Sequence, residues 1–327
     1  MKNYIKNNKT QKLWKVLPGI FISIFALIYI FNLITFSEIK EYIKTIDFIS
    51  LLLAFIVMIV GIYFKSLGWW VILGKKAPIV DTFLILNIGN LLNNLLPFRA
   101  GEFGKAYMMG KKSGMGSLYI FSSIIIERFF DMLISVFLIL SVFPSVLKIQ
   151  NALPYTFILF FLIIMGFFIL IILSKNNQKV VNWLKQKLQN NEKLEKILVP
   201  KLESFLLGLG IFKNISQFLQ SFFWIILAWL FYILFLYILI LQFFPTAKFW
   251  WALFLQGIIS SGLAIPSVPG SIGVYEAAAI GALFFLGINK TEAAAFAIVT
   301  HGYNIFIIIL IGLISFILLN IRNKRIK

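Results

Sequence analysis

Two apolar stretches of this chain are broken by proline and glycine, and each break is followed by a glutamate. The first reads Leu95-Leu96-Pro97-Phe98-Arg99-Ala100-Gly101-Glu102-Phe103-Gly104, and the second Pro266-Ser267-Val268-Pro269-Gly270-Ser271-Ile272-Gly273-Val274-Tyr275-Glu276. In a bilayer, irregular backbone and charge are tolerated only where protein or a water-filled cavity encloses them. Broken segments at corresponding places in two halves of a chain point to a transporter's binding site. Composition supports the membrane setting: 61% of residues are hydrophobic and 13% charged, where a soluble domain carries about 25% charged residues. Several apolar runs reach the roughly 20 residues that cross a bilayer, and the alternation of a transmembrane barrel is absent.

The runs place six full spans at about 16–35, 48–66, 117–141, 155–173, 219–241 and 293–319. Five lysines precede the first, which resembles a signal peptide but is long and lacks a small-residue cleavage site, so an uncleaved span is expected. Two further apolar regions, 82–110 and 249–287, break at Pro97 and between Pro266 and Gly273. Their arms are short for a crossing and suit re-entrant hairpins. The expected fold is therefore an all-α polytopic membrane protein, one transmembrane domain over 1–327, with six transmembrane helices and two broken hairpins. Its halves, 1–141 and 155–319, would form an inverted repeat.

Loop charge agrees with this layout. With a cytoplasmic N-terminus, 24 Lys and Arg fall in inside segments and five outside, as the positive-inside rule demands. That distribution assigns the formal charge of +18 to topology rather than to nucleic acid. Both termini are expected to be cytoplasmic, in the cell or inner membrane. The polar segment 174–218 carries eight lysines with Val180, Trp183, Leu184, Leu188 and Leu194 at near-helical spacing. It reads as basic amphipathic helices on an anionic leaflet, or as a solvated linker.

Glu127 and Asp131 share a helix face within an apolar span, with Arg128 beside them. Intramembrane ionisable groups face an interior and find partners, so these three are candidates for a substrate or proton site or for a self-neutralised structural cluster. Arg99 and Glu102 lie in the first break, where Gly101 and Gly104 allow the backbone to turn and pack closely. A helix restarting there would aim its positive end at the midplane. Asn87, Asn90 and Asn94 share a face ahead of the break and could line a polar path or satisfy broken-helix carbonyls. Tyr275 and Glu276 follow the second break, where Pro269, Gly270 and Gly273 supply the turn, and His301 lies early in the last span. If both hairpins meet, Arg99 and Arg128 face four carboxylates, those of Glu102, Glu127, Asp131 and Glu276. The surplus of two negative charges then predicts protonation or a cationic group in the cavity. The absence of cysteine and the single histidine leave no metal motif, and no cofactor is expected.

Three pieces together resemble the flippase-like transmembrane region of lysylphosphatidylglycerol synthases. They are Asn93-Asn94-Leu95-Leu96-Pro97-Phe98-Arg99-Ala100-Gly101-Glu102, then Glu127-Arg128-Phe129-Phe130-Asp131, then the stretch from Pro266 to Glu276. The resemblance implies a membrane protein that moves or handles lipids, including aminoacylated phospholipids and polyprenyl-linked sugars. It carries Arg99, Glu102, Glu127, Arg128, Asp131 and Glu276 over as functional candidates. Many members have an arginine where this chain has His301-Gly302-Tyr303, so headgroup preference would differ. The chain ends at Lys327 with no synthetase domain, so aminoacylation is not expected.

The leading expectation is a lipid flippase whose partners are anionic or amine-bearing headgroups. One rival is a transferase acting on a lipid-linked donor, with Glu127 and Asp131 as acid and base. Another is a membrane anchor for a separate cytosolic lipid-modifying enzyme.

Overall fold

The computed structural model describes residues 36–146, 153–264 and 268–326. The expected first span and Pro266 lie outside these residues. Twelve α-helices, and no strand, occur among the described residues. They are α1 (Phe36–Thr45), α2 (Phe48–Ile72), α3 (Ile79–Leu95), α4 (Gly101–Ser113), α5 (Ser117–Val146) and α6 (Leu153–Lys175), then α7 (Asn177–Leu188), α8 (Glu192–Gly208), α9 (Ile215–Phe243), α10 (Phe249–Leu263), α11 (Val274–Phe285) and α12 (Lys290–Ile326).

Local chemistry sets the helix ends. Asp47 starts α2 by accepting the Ser50 N–H at 2.9 Å. That bond, with one from the Ser50 hydroxyl, holds the Asp47 carboxyl below its ordinary range. Asn214 caps α9 in the same way through the Gln217 N–H. α3 stops at Leu95 because Pro97 pushes the residue before it out of helical space, and Leu96 is extended. α2, α9 and α12 are each long and apolar enough to cross a membrane, and α6 with α7 forms a fourth apolar unit bent by 78°. α5, at 30 residues, is also long enough but carries Glu127, Arg128 and Asp131. This is an all-α polytopic membrane protein, and its buried polar core and exposed apolar rim fit that setting. Phe137, Phe161 and Phe168 are all more than half exposed.

Helix packing repeats between the halves. α2 packs on α9 at the centre. α3 packs on α12 of the other half, and α10 packs on α5 in the same manner. Each broken pair, α3–α4 and α10–α11, folds back on itself, and the two breaks touch. The breaks share a backbone signature. In Pro97–Arg99 the second and third residues, Phe98 and Arg99, have φ of 57° and 54°. In Pro269–Ser271 the second and third, Gly270 and Ser271, have φ of 68° and 55°. The first pair folds tightly enough that a Cβ on Gly101 would sit 2.2 Å from the Gly89 carbonyl oxygen. Only glycine fits there.

Candidate functional site: a buried ion network beside a polar cavity

The face where α2, α4 and α5 meet holds a connected set of charges. Lys105 Nζ lies 2.7 Å from Glu127 Oε2 and 3.6 Å from Glu102 Oε2. Lys65 Nζ contacts Asp131 Oδ1 and lies 3.5 Å from Glu127 Oε1. Arg128 spans the group, 3.1 Å from Glu102 Oε1 and 3.3 Å from Asp131 Oδ2. Trp229 Nε1 donates to Asp131 Oδ1 at 2.9 Å, and the Lys105 ammonium sits 4.4 Å from the centre of the Trp69 ring. Lys65, Lys105 and Glu127 are buried. Charges this deep are stable only when each has a partner and further hydrogen bonds. Here Trp229 and the face of Trp69 supply part of that support.

Beside the network lies a cavity of about 210 Å³. Its charged wall is Lys65, Arg99, Glu127, Arg128 and Asp131. Its neutral polar wall includes Asn90, Tyr232, Gln256 and Ser260. Arg99 reaches across from the first break and donates to the Leu263 carbonyl at the end of α10. It thereby satisfies a carbonyl that the end of α10 leaves without an intrahelical partner. Arg99 has no carboxylate within ion-pair distance among the described residues.

The structure divides the residues anticipated from sequence. Asn90, Arg99, Glu127, Arg128 and Asp131 come together on the cavity wall, and Glu102 joins them through Arg128. Asn94 instead bonds back to the Asn90 carbonyl within its own helix. Glu276, Tyr275 and His301 form a separate buried group. Glu276 Oε2 accepts the Gly273 N–H at 2.6 Å, and Oε1 lies 2.7 Å from His301 Nδ1. The Tyr275 ring stacks on His301 at 4.1 Å. None of the three lines the cavity. Pro97, Gly101, Pro269, Gly270 and Gly273 sit at the breaks as anticipated, while Gly104 lies one turn into α4, against Leu92.

The expected surplus of negative charge is corrected. Lys65 and Lys105, counted from sequence among the inside charges, enter the network, and Glu276 leaves it. If all are ionised, four cations, Lys65, Arg99, Lys105 and Arg128, face three carboxylates, Glu102, Glu127 and Asp131. The unmatched charge is positive, and Arg99 carries it. Lys65 and Lys105 had a faint signal. Lys65 is followed by more apolar sequence, and Lys105 stands one helical turn after Glu102.

Among the described residues no group of His, Cys, Asp and Glu is suited to a metal. No curated protein and no solved structure matches the chain. Residues 16–312 match the family described as the lysylphosphatidylglycerol synthase TM region. With that match over nearly its whole length, the chain belongs to the lysylphosphatidylglycerol synthase TM region family, membrane proteins of lipid modification or translocation.

Proposed function

We propose that this protein is a lipid flippase that seats a phosphate-bearing headgroup in the polar cavity, with its phosphate on Arg99. One observation carries the reading: among the described residues Arg99 is the single cation of the cavity wall without a carboxylate partner, and its planar fork suits a phosphodiester. Tyr232, Gln256 and Ser260 would receive the rest of the headgroup, an amine or hydroxyls, while the acyl chains stay in the membrane. The volume suits a headgroup and not a whole lipid.

Residues 1–141 and 155–319 would act as inverted repeats rocking about the touching breaks. The termini and the basic α7–α8 segment would face the cytoplasm. Lys65, Lys105 and Arg128 hold all three network carboxylates in ion pairs, so no carboxylate is left free to act as base. That supports transport over the transferase reading.

Native mass spectrometry of mildly extracted protein tests the binding step. The expected result is one phosphate-bearing lipid class enriched on the wild type and lost in Arg99→Ala. Equal enrichment in both would remove the headgroup from Arg99.

A further inference from the structure

At the end of the first broken pair, away from its break, lies a second cavity of about 740 Å³. It is enclosed by the start of α3, the end of α4 and the end of α12. Its walls are mainly apolar, with Ile85, Met108 and Leu319 among them, and its mouth is basic. Asp81 is buried there, 2.9 Å from Arg322 Nε and 3.2 Å from Lys112 Nζ. Lys112 also donates to Asn323 Oδ1 at 2.7 Å. An ammonium has three donors, so Lys112 keeps one free. Lys111, exposed on the same rim, has no ion-pair partner among the described residues. Three cations against one carboxylate leave a positive mouth. Below it, Tyr107 and Phe316 line the cavity and are 61% and 52% exposed, so the apolar wall continues out to the lipid-facing surface.

The corresponding end of the second pair is more aromatic: α10 follows Lys248 with Phe249, Trp250 and Trp251, and α11 ends Phe284, Phe285, with the Lys290 ammonium 5.7 Å from the centre of the Phe284 ring.

We propose that this cavity is a second lipid site, which holds an anionic phosphate headgroup on Lys111 and Lys112 and the start of an acyl chain between Tyr107 and Phe316. Its size falls within the range of ligand pockets. A cationic ligand would meet the surplus of like charge, and a free anion would leave the apolar walls without an occupant. The site shares no residue with the central cavity, so it stands or falls separately from the reading of Arg99.

The test uses the full chain in phosphatidylcholine nanodiscs doped with a phosphatidylglycerol bearing a photoactivatable acyl chain. The expected result is labelling of the peptides that contain Tyr107 and Phe316. Labelling should fall about tenfold in the paired variant Lys111→Gln/Lys112→Gln, the equivalent of roughly 1.4 kcal/mol. Lys111→Gln alone changes only an exposed residue and should give a smaller fall. Lys112→Arg and Arg99→Ala should keep the label. Equal labelling of wild type and the paired variant, or by a phosphatidylcholine probe, would overturn the proposal in favour of surface lipid. Loss of labelling on adding millimolar inorganic phosphate would overturn it in favour of a free-phosphate site.

Discussion

The two broken helix pairs share a backbone plan and differ in chemistry. Both turn at a proline followed by two residues in the left-handed region, and both pack their first arm on the long helix of the other half. Yet α3 and α4 with their turn carry Asp81, Arg99, Glu102, Lys105, Lys111 and Lys112, whereas Glu276 is the only charged residue from 249 to 285. The first pair brings its charges to α5, where Glu127, Arg128 and Asp131 meet them. The second brings one carboxylate to one histidine, and Glu276 spends its other oxygen on the Gly273 N–H. The two pairs share a backbone plan, and the charges of the first meet those of α5 at the site. The contribution of the second copy to the cavity is neutral: Gln256, Ser260 and the Leu263 carbonyl that receives Arg99.

The sharpest way to break this comparison is to unpair the network. Lys105→Ala removes the cation closest to buried Glu127 and leaves only the longer contacts to Lys65 and Arg128, and removing one partner of a buried ion pair typically destabilises by about 3–5 kcal/mol. Thermal unfolding in detergent should show a large fall in Tm. The double variant Lys105→Met/Glu127→Gln should recover part of it, because no bare charge remains. A fall in the double variant as large as in the single would mean that the pairing itself is not what holds α4 to α5.

Glu276→Gln asks the same of the second pair, and the expected effect is smaller. It keeps an acceptor for the Gly273 N–H while weakening the bond to His301, a loss of about 1–3 kcal/mol with lipid binding retained. Loss of lipid enrichment with unchanged Tm would place Glu276 in the site and remove the asymmetry.

The smallest effect concerns the turns. Phe98 holds a left-handed conformation where the second break has Gly270. Phe98→Gly should relieve about 1 kcal/mol of backbone strain, and Gly270→Ala should add a similar amount. Opposite signs in the two unfolding curves would confirm that the breaks are equivalent. Equal signs would show that the Phe98 side chain outweighs its backbone.

These contrasts also show what sequence can carry. The breaks were legible because proline and glycine act locally: Pro97 stops α3 whatever packs on it. The spans among the described residues were legible from the length of the apolar runs, and α5 stood out because Glu127, Arg128 and Asp131 interrupt one. Lys65 and Lys105 were misplaced because a lysine near the end of an apolar run looks the same whether it snorkels to the surface or turns inward. Only the packing of α2 and α4 against α5 decides which. Glu276 was grouped with the network because the two breaks look alike in one dimension. Its partnership with His301 depends on α11 packing against α12. The role of Asp81 was hidden for a related reason, since Lys112 and Arg322 come to it from α4 and α12.

The most direct test of the central claim is lipid translocation in proteoliposomes, with wild type, Arg99→Ala and Arg99→Lys compared at matched Tm. If Arg99 seats the phosphate, Arg99→Ala should lose about tenfold or more, since a charge-assisted bond contributes about 1.5–3 kcal/mol, and Arg99→Lys should fall between the two. Translocation by Arg99→Ala at the wild-type rate would contradict the account and leave Arg99 as a brace for the end of α10.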